Sequence, residues 1–185
     1  MDAREAEFDS LLQAAKAGAD WAWARIYRDL AGPVTGYLRS RGAKEPEDLT
    51  SEVFLRVAHA IQGFTGDAAS FRSWIFVIAH RRLIDERRYN GRRPLMSELD
   101  GAERVTPEGD VESEAIEHLV TAEIAEVFQA LTDSQRDVLA LRIIAGLSIE
   151  QTAHVMGKRA GAIKALQHRA LGALKRALDE ENVTL

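Results

Sequence analysis

Residues 147–178, LSIEQTAHVMGKRAGAIKALQHRALGALKRAL, hold two helical periods separated by a glycine. Ser148 suits an N-cap, and Gln151 three residues on completes a Ser-x-x-Gln capping box. A first helix then runs to about Met156. Gly157 follows where the chain must reverse, in a left-handed conformation that costs glycine nothing. A second helix starts near Ala160 and carries Ile163, Leu166, Ala170, Leu171, Leu174 and Leu178 at close to a helical period. Ala153, Gly157 and Ile163 have the order a helix-turn-helix requires. A small residue sits at the crossing, a glycine at the turn, and a branched residue packs the second helix onto the first. The start of that second helix is basic and polar, with Lys158, Arg159, Lys164, Gln167, His168 and Arg169. There a recognition helix meets phosphates and base edges. A solvated basic face on an ordinary helical hairpin has the same pattern, so the rest of the chain must decide.

The 185 residues are enough for one ordinary domain or two small ones, and they contain no cysteine. Disulfides, thiolate metal sites and a cysteine nucleophile are thereby excluded, and a reducing compartment is permitted. The start, MDAREAEFDSLLQAAKAG, has acidic residues and no long apolar run. It reads as neither signal peptide nor membrane anchor, and the expected location is cytoplasmic. The net charge of −5 is unusual for a free-standing DNA binder. The charge is segregated along the chain, however.

In chain order, residues 4–17 predict a short amphipathic helix with Phe8, Leu11, Leu12 and Ala15 on one side, ended by Gly18. Asp20 can cap a second helix with Trp23, Ile26, Tyr27 and Leu30 inside. Gly32-Pro33 interrupts it, and Pro33 suits the first turn of a further helix carrying Val34, Tyr37 and Leu38. Pro46 opens the next helix, whose apolar side is Leu49, Val53, Val57 and Ile61, with Phe54 beside it. Its outer side carries Asp48, Glu52 and Arg56 at successive i+4 steps. Like charges at Asp48 and Glu52 cost an isolated helix a few tenths of a kcal/mol. A Glu52–Arg56 pair and the positive helix start offset that in a solvated face; an acidic docking face for a basic partner is the functional alternative.

The loop QGFTGDAAS, residues 62–70, holds Phe64 and two glycines. Ser70 can cap the helix FRSWIFVIAHRRLIDERRYN, with Phe71, Trp74, Ile75 and Ile78 inside. Its C-terminal half is basic, with Arg81, Arg82, Arg87 and Arg88, then Arg92 and Arg93 beyond. Arginines near a helix C-terminus suit the dipole. Combined with Trp74, Phe76 and Tyr89, they also suit a surface that follows a phosphate backbone and stacks unpaired bases. Residues 94–112, PLMSELDGAERVTPEGDVE, set six acidic residues against Arg104 and read as a mobile linker between two domains. Ser113–Leu131 predicts a helix with Ile116, Leu119, Val120, Ile124, Val127, Phe128 and Leu131 inside. Thr132-x-x-Gln135 is another capping box, before a helix with Val138, Leu139, Ile143 and Ile144 that ends at Gly146. The expectation is an all-α chain of two small helical domains, 1–93 and 113–185. The second is a four-helix unit ending in the helix-turn-helix.

In this order EDLTSEVFLRV, FRSWIFVIAHRRLIDERR, an acidic linker and LTDSQRDVLALRIIAGLSIEQTAHVMGKRAGAIKALQHRALGAL resemble the sigma-70 family of RNA polymerase sigma factors. The resemblance is to the extracytoplasmic-function type (group 4), which keeps only the second and fourth conserved regions, and it covers about Tyr27–Leu178. It implies no enzymatic activity and no cofactor or metal. It implies docking of Asp48, Leu49, Glu52, Val53 and Phe54 on the clamp coiled coil of the largest polymerase subunit, which would explain the Asp48/Glu52 spacing. The flap of the second-largest subunit is a further implied partner. Phe64, Phe71, Arg72, Arg81, Arg82 and Arg88 would open and read the minus-10 element, with a flipped base held by the loop Gly63–Ser70. The linker would thread toward the polymerase active-site channel. Lys158, Arg159, Lys164, Gln167, His168 and Arg169 would read the minus-35 element. An anti-sigma factor covering both faces is implied, and the free domains could fold back on each other. Lys158 stands where many relatives are hydrophobic, and Leu166 where many carry a long polar residue. Trp74 lies near the melting tryptophans of primary sigma factors, but its inner position favours core packing.

Two other classes are compatible with parts of the chain. A stand-alone helix-turn-helix regulator would bind duplex DNA unaided, against which stand the net negative charge and the lack of an apolar dimer stripe. An enzyme is opposed by His59, His80, His118, His154 and His168, which show no metal-ligand spacing, and by Asp85 and Glu86, which have no evident partner base.

Overall fold

The computed structural model describes residues 3–92 and 131–181. The described residues are helical, without a strand. Helix α1 spans Ala3–Lys16, α2 Asp20–Ser40, α3 Pro46–Ala60 and α4 Ala68–Arg92, with a 3-10 turn at Ile61–Gly63. In the C-terminal half α5 spans Asp133–Leu139 and continues as a π-helical stretch, Ala140–Ile144; α6 spans Ile149–Met156 and α7 Ala160–Glu181. The expected linker and the expected helix Ser113–Leu131 lie outside the described residues, apart from Leu131, which is buried.

Helices α2, α3 and α4 pack on one another, with α1 laid against α2 and the 3-10 turn. Gly32-Pro33 does not break α2, contrary to the expectation of two helices. Ile26, Leu30, Val34, Tyr37 and Leu38 form one buried stripe through the proline. Burying five such side chains, at about 1.5–3 kcal/mol each, outweighs a proline cost of about 3 kcal/mol. Asp20 is not the cap of α2; Ala19 holds that position and Asp20 lies in the first turn. Tyr27 points outward against Phe54, at 4.8 Å between ring centroids, instead of joining the inner stripe. Helix α4 begins three residues earlier than expected. Asp67 Oδ1, not the Ser70 side chain, caps it, accepting from Ser70 N at 2.7 Å.

Both expected capping boxes form. Thr132 and Gln135 close the start of α5, Ser148 and Gln151 that of α6. Gly157 adopts φ 61°, ψ 36° and reverses the chain into α7, while Ala153, Val138 and Ile163 pack at the crossing. The π-helical stretch changes the expected facing of one residue. Its wider turn leaves Ile143 exposed while Leu141 and Ala145 are buried. Leu171 is likewise exposed on α7, not inside.

The two halves share a core. Ala140, Leu141, Ala145, Leu147 and Val155 belong to the same continuous apolar cluster as Val34, Tyr37, Phe76 and Leu83. Gly36 of α2 lets Ile144 approach so closely that a Cβ at that position would lie 3.1 Å from Ile144 Cγ2.

Candidate nucleic-acid interface

The acidic side of α3 forms first, from its own spacing. Asp48 and Glu52 are exposed one turn apart, while Leu49, Val53 and Phe54 from the same motif are buried beneath them. Glu52 does not pair with Arg56 as expected. It pairs with Arg82 of α4 across a groove of about 420 Å³ lined also by Glu45, Asp48, Asp85, Glu86 and Tyr89. The reason is packing: α4 lies against α3, and Arg82 faces it. Sequence reading missed Asp85 and Glu86 as members of this groove. Their i+3 and i+4 spacing from Arg82 was the available signal.

The loop after α3 is held from several sides. Lys16 Nζ donates to the Phe64 carbonyl at 2.7 Å, and Gln62 Nε2 donates to the Lys16 carbonyl at 2.6 Å. Phe64 is buried, its ring 5.1 Å from both Phe71 and Trp74, and Phe71 also meets Phe8 at 5.6 Å. Gly66 has φ 147°, and a Cβ there would lie 3.0 Å from Ser70 Cβ and 3.2 Å from Phe64 Cζ. The bond that Asp67 accepts from Ser70 lowers its carboxyl pKa. Phe64 and Phe71 therefore sit under the loop, and the half-exposed Trp74 is the aromatic group that reaches the surface. Beside it opens a cleft of about 690 Å³ lined by Gly63, Phe64, Thr65, Ser70, Ser73 and Trp74 and, from the other half, by Glu150, Gln151 and His154. That volume lies in the range of small-ligand sites.

The arginines of α4 divide by environment. Arg81 and Arg88 are exposed on one side of the helix. Arg82 is engaged with Glu52, and Arg87 Nη2 donates to the Arg41 carbonyl. Arg72 donates from Nε to the Ala145 carbonyl at 2.7 Å and lies 5.9 Å over the Phe76 ring; burial lowers its pKa. Beneath this surface Tyr37 Oη and His80 Nδ1 are 2.7 Å apart. Burial pushes the Tyr37 pKa up and the His80 pKa down, so both are neutral near pH 7. Arg93 lies outside the described residues.

On the helix-turn-helix, Lys158, Arg159, Lys164, His168 and Arg169 are exposed around the start and outer side of α7. Gln167 is partly buried and accepts from Arg142 Nε at 3.2 Å, while Arg142 Nη1 donates to the Leu147 carbonyl just before the α6 cap. Arg142, distant in sequence, thereby joins α7 to the preceding element; nothing in its local pattern marks it. Leu166 packs against the Val138, Ala153 and Ile163 cluster, which explains its apolar character where a polar contact would otherwise be expected. The described residues contain no group of three ionisable side chains placed to hold a metal ion.

An exposed acidic helix, a basic and aromatic helix beside an open cleft, and a basic helix-turn-helix follow one another in the chain. Residues 23–93 match the family model for sigma-70 region 2, and residues 127–176 match that for sigma-70 region 4. The ECF RNA polymerase sigma factor BldN of Streptomyces coelicolor is 33% identical over 182 residues, covering 97% of this chain and 69% of that protein. The chain belongs to the sigma-70 family. It is an ECF sigma factor that directs transcription initiation. The ECF sigma factor SigD of Mycobacterium tuberculosis is 30% identical over 173 residues, covering 90% of this chain and 82% of its own length. In fold the sigma factor resembles CnrH, solved with the cytosolic domain of CnrY, at a TM-score of 0.69 and 22% identity, covering 94% and 97% of the two chains. It also resembles RpoE from Bartonella quintana, solved with the anti-sigma factor NepR, at a TM-score of 0.64 and 18% identity, covering 84% and 96%.

Proposed function

We propose that promoter selection is divided between a region 2 unit, residues 1–93, and a region 4 unit, residues 113–185, joined by the acidic segment 94–112. Asp48 and Glu52 present the charge that docks on core RNA polymerase, and the buried Leu49, Val53 and Phe54 set their spacing. Asp85 and Glu86 extend that acidic face along the groove. Trp74, floored by Phe64 and Phe71, receives an unstacked base of the minus-10 element, while Arg81 and Arg88 follow the phosphates. Arg72 and Arg82 join them once released from Ala145 and Glu52. Lys158, Arg159, Lys164, His168 and Arg169 face the minus-35 major groove, with Gln167 at its edge. The clamp helices of the largest subunit and the flap of the second-largest are the two docking partners. The chain performs no catalysis of its own and acts in the cytoplasm. No helix among its described residues is long and apolar enough to cross a membrane. An anti-sigma factor is a further partner, since RpoE of similar fold was solved with one.

The observation that carries this reading is the separation of charge, acidic on α3 and basic on α4 and α7. Run-off transcription with reconstituted core polymerase tests it. Lys164→Ala is expected to lower promoter-dependent transcript by about tenfold or more, the effect of losing one base or phosphate contact. Core binding should be retained. Asp48→Ala combined with Glu52→Ala is expected to reduce core binding itself. Equal loss of core binding in both variants would overturn the division, and the absence of any core binding by the unaltered chain would overturn the reading as a whole.

A further inference from the structure

Helix α1 takes no part in the contacts proposed for polymerase or DNA, yet it holds the loop that lines the cleft beside Trp74. A helix leaves its last carbonyls without intrahelical donors, and α1 draws two of those donors from other elements. Trp23 Nε1 of α2 donates to the Ala15 carbonyl at 3.1 Å, and Gln62 Nε2 donates to the Lys16 carbonyl at 2.6 Å. Lys16 returns the second contact. A cation in the last turn suits the helix dipole, but this side chain reaches away from the helix end, and its Nζ donates to the Phe64 carbonyl at 2.7 Å. The two bonds grip the chain on either side of Gly63, 46 and 48 residues from Lys16. Nearer the start of α1, Phe8 meets Phe71 at 5.6 Å.

The Phe64 peptide is the place where orientation matters. Its ring is buried against Phe71 and Trp74, while Thr65–Ser70 beyond it are exposed. Gly63, Phe64 and Thr65 line the cleft, so the carbonyl that Lys16 holds belongs to the cleft wall. A charge-assisted hydrogen bond is stronger than a neutral one, and here it fixes a peptide unit that would otherwise sample several orientations. Backbone order set in advance is entropy not lost when a ligand arrives. We infer that Lys16 is a positioning residue for minus-10 reading, a clamp that holds the Phe64–Thr65 backbone in its base-accepting form before DNA arrives. The inference rests on the proposed capture of an unstacked base in this cleft. Every contact of the clamp lies within residues 3–92, so the clamp is a property of the N-terminal half alone. With the clamp removed, the loop occupies its competent form for part of the time, and the apparent affinity for the base falls by that fraction.

The test is the affinity of reconstituted holoenzyme for a fluorescent single-stranded oligonucleotide, the non-template minus-10 strand of a promoter that the wild type transcribes. A series with one abasic position at a time locates the captured base, whose loss should weaken wild-type binding about tenfold, the size of one base–aromatic stack. Lys16→Met keeps the length and apolar stem of the side chain and removes the donor. It should weaken binding of the intact strand about tenfold, the effect of losing a hydrogen bond from a charged group, and leave binding of that abasic strand unchanged. Lys16→Arg, which still donates, should restore the wild-type value. Gln62→Met removes the reciprocal bond and should shift the same ratio in the same direction; it decides alone if Lys16→Met fails to fold. Core binding and far-UV dichroism should be those of the wild type throughout. Wild-type affinity in Lys16→Met, or an equal loss on intact and abasic strands, overturns the clamp and leaves base capture standing. If no abasic position weakens wild-type binding, base capture itself fails and the clamp with it.

Discussion

His80 shows how one side chain couples packing to pH. It is buried against Tyr37, and desolvation holds its pKa below the ordinary 6.5, with Asp137 acting in the opposite direction. The folded chain thus binds fewer protons here than the unfolded chain once the pH falls below 6.5. Stability from this group is full above that value and is lost as pH falls toward the lower folded value. Between about pH 7.5 and about pH 5.5, thermal melts should show a falling midpoint in the wild type and a shallower fall in His80→Gln, which keeps a polar partner for Tyr37 without the titration. An identical slope in both would show that His80 is not the source. Gly66 is the second residue whose identity is dictated by its position. At φ 147° an L side chain is strained, and Ser70 and Phe64 leave no room for its Cβ. Gly66→Ala should cost about 1–3 kcal/mol in denaturant unfolding. It should also weaken binding of single-stranded minus-10 DNA by holoenzyme, because the cleft beside Trp74 is lined by that loop. Unaltered unfolding and DNA binding would show that the loop relaxes without consequence.

At the scale of the element, the capping box of α6 does two jobs. Gln151 Oε1 accepts from Ser148 N at 2.7 Å, and its Nε2 reaches the Ala69 carbonyl of the other half. A local helix-start signal therefore also sets a contact between the two halves. Ser148→Ala should destabilise the chain by about 1 kcal/mol, the usual value of such a cap. Hydrogen exchange should rise in α6 before it rises in α3. Uniform exchange across both helices would argue against a local role. The elements also show where local rules lose. Gly32-Pro33 reads as a break, yet α2 continues because its buried stripe is longer than the interruption. The period that placed Ile143 inside assumed 3.6 residues per turn, and the π-helical stretch turned it outward. Where cap, glycine and apolar stripe agreed, as in Ser148–Gly157–Ile163, the structure follows them.

For the whole molecule, the shared core makes the two halves one cooperative body. Arg41 is the group with most at stake. Removing one partner of a buried, hydrogen-bonded ion pair costs about 3–5 kcal/mol, because the other charge stays desolvated. Arg41→Ala should therefore lower stability by that order, and calorimetry should show one endotherm in the wild type but separated transitions in Gly36→Gln. Two transitions already present in the wild type would show that the halves do not stabilise each other. A chain with net charge −5 has little general attraction for phosphates, and its basic surfaces are partly engaged by its own Glu52 and backbone carbonyls.

What the sequence determined by itself was local and periodic: the capping boxes, the turn at Gly157, the apolar stripes of α3 and α7, and the order of acidic helix, basic helix and helix-turn-helix. These signals depend on neighbours within a few residues, and they were enough to point to the family. What tertiary structure alone decided was how charges from distant helices meet. Glu52 chose Arg82 over Arg56, Arg41 found Asp137, Arg142 found Gln167, and Arg72 turned to Ala145. Phe64 and Phe71 went beneath the loop, leaving Trp74 at its surface. Such pairings are fixed by which faces the packed helices bring together, and no spacing along the chain encodes them.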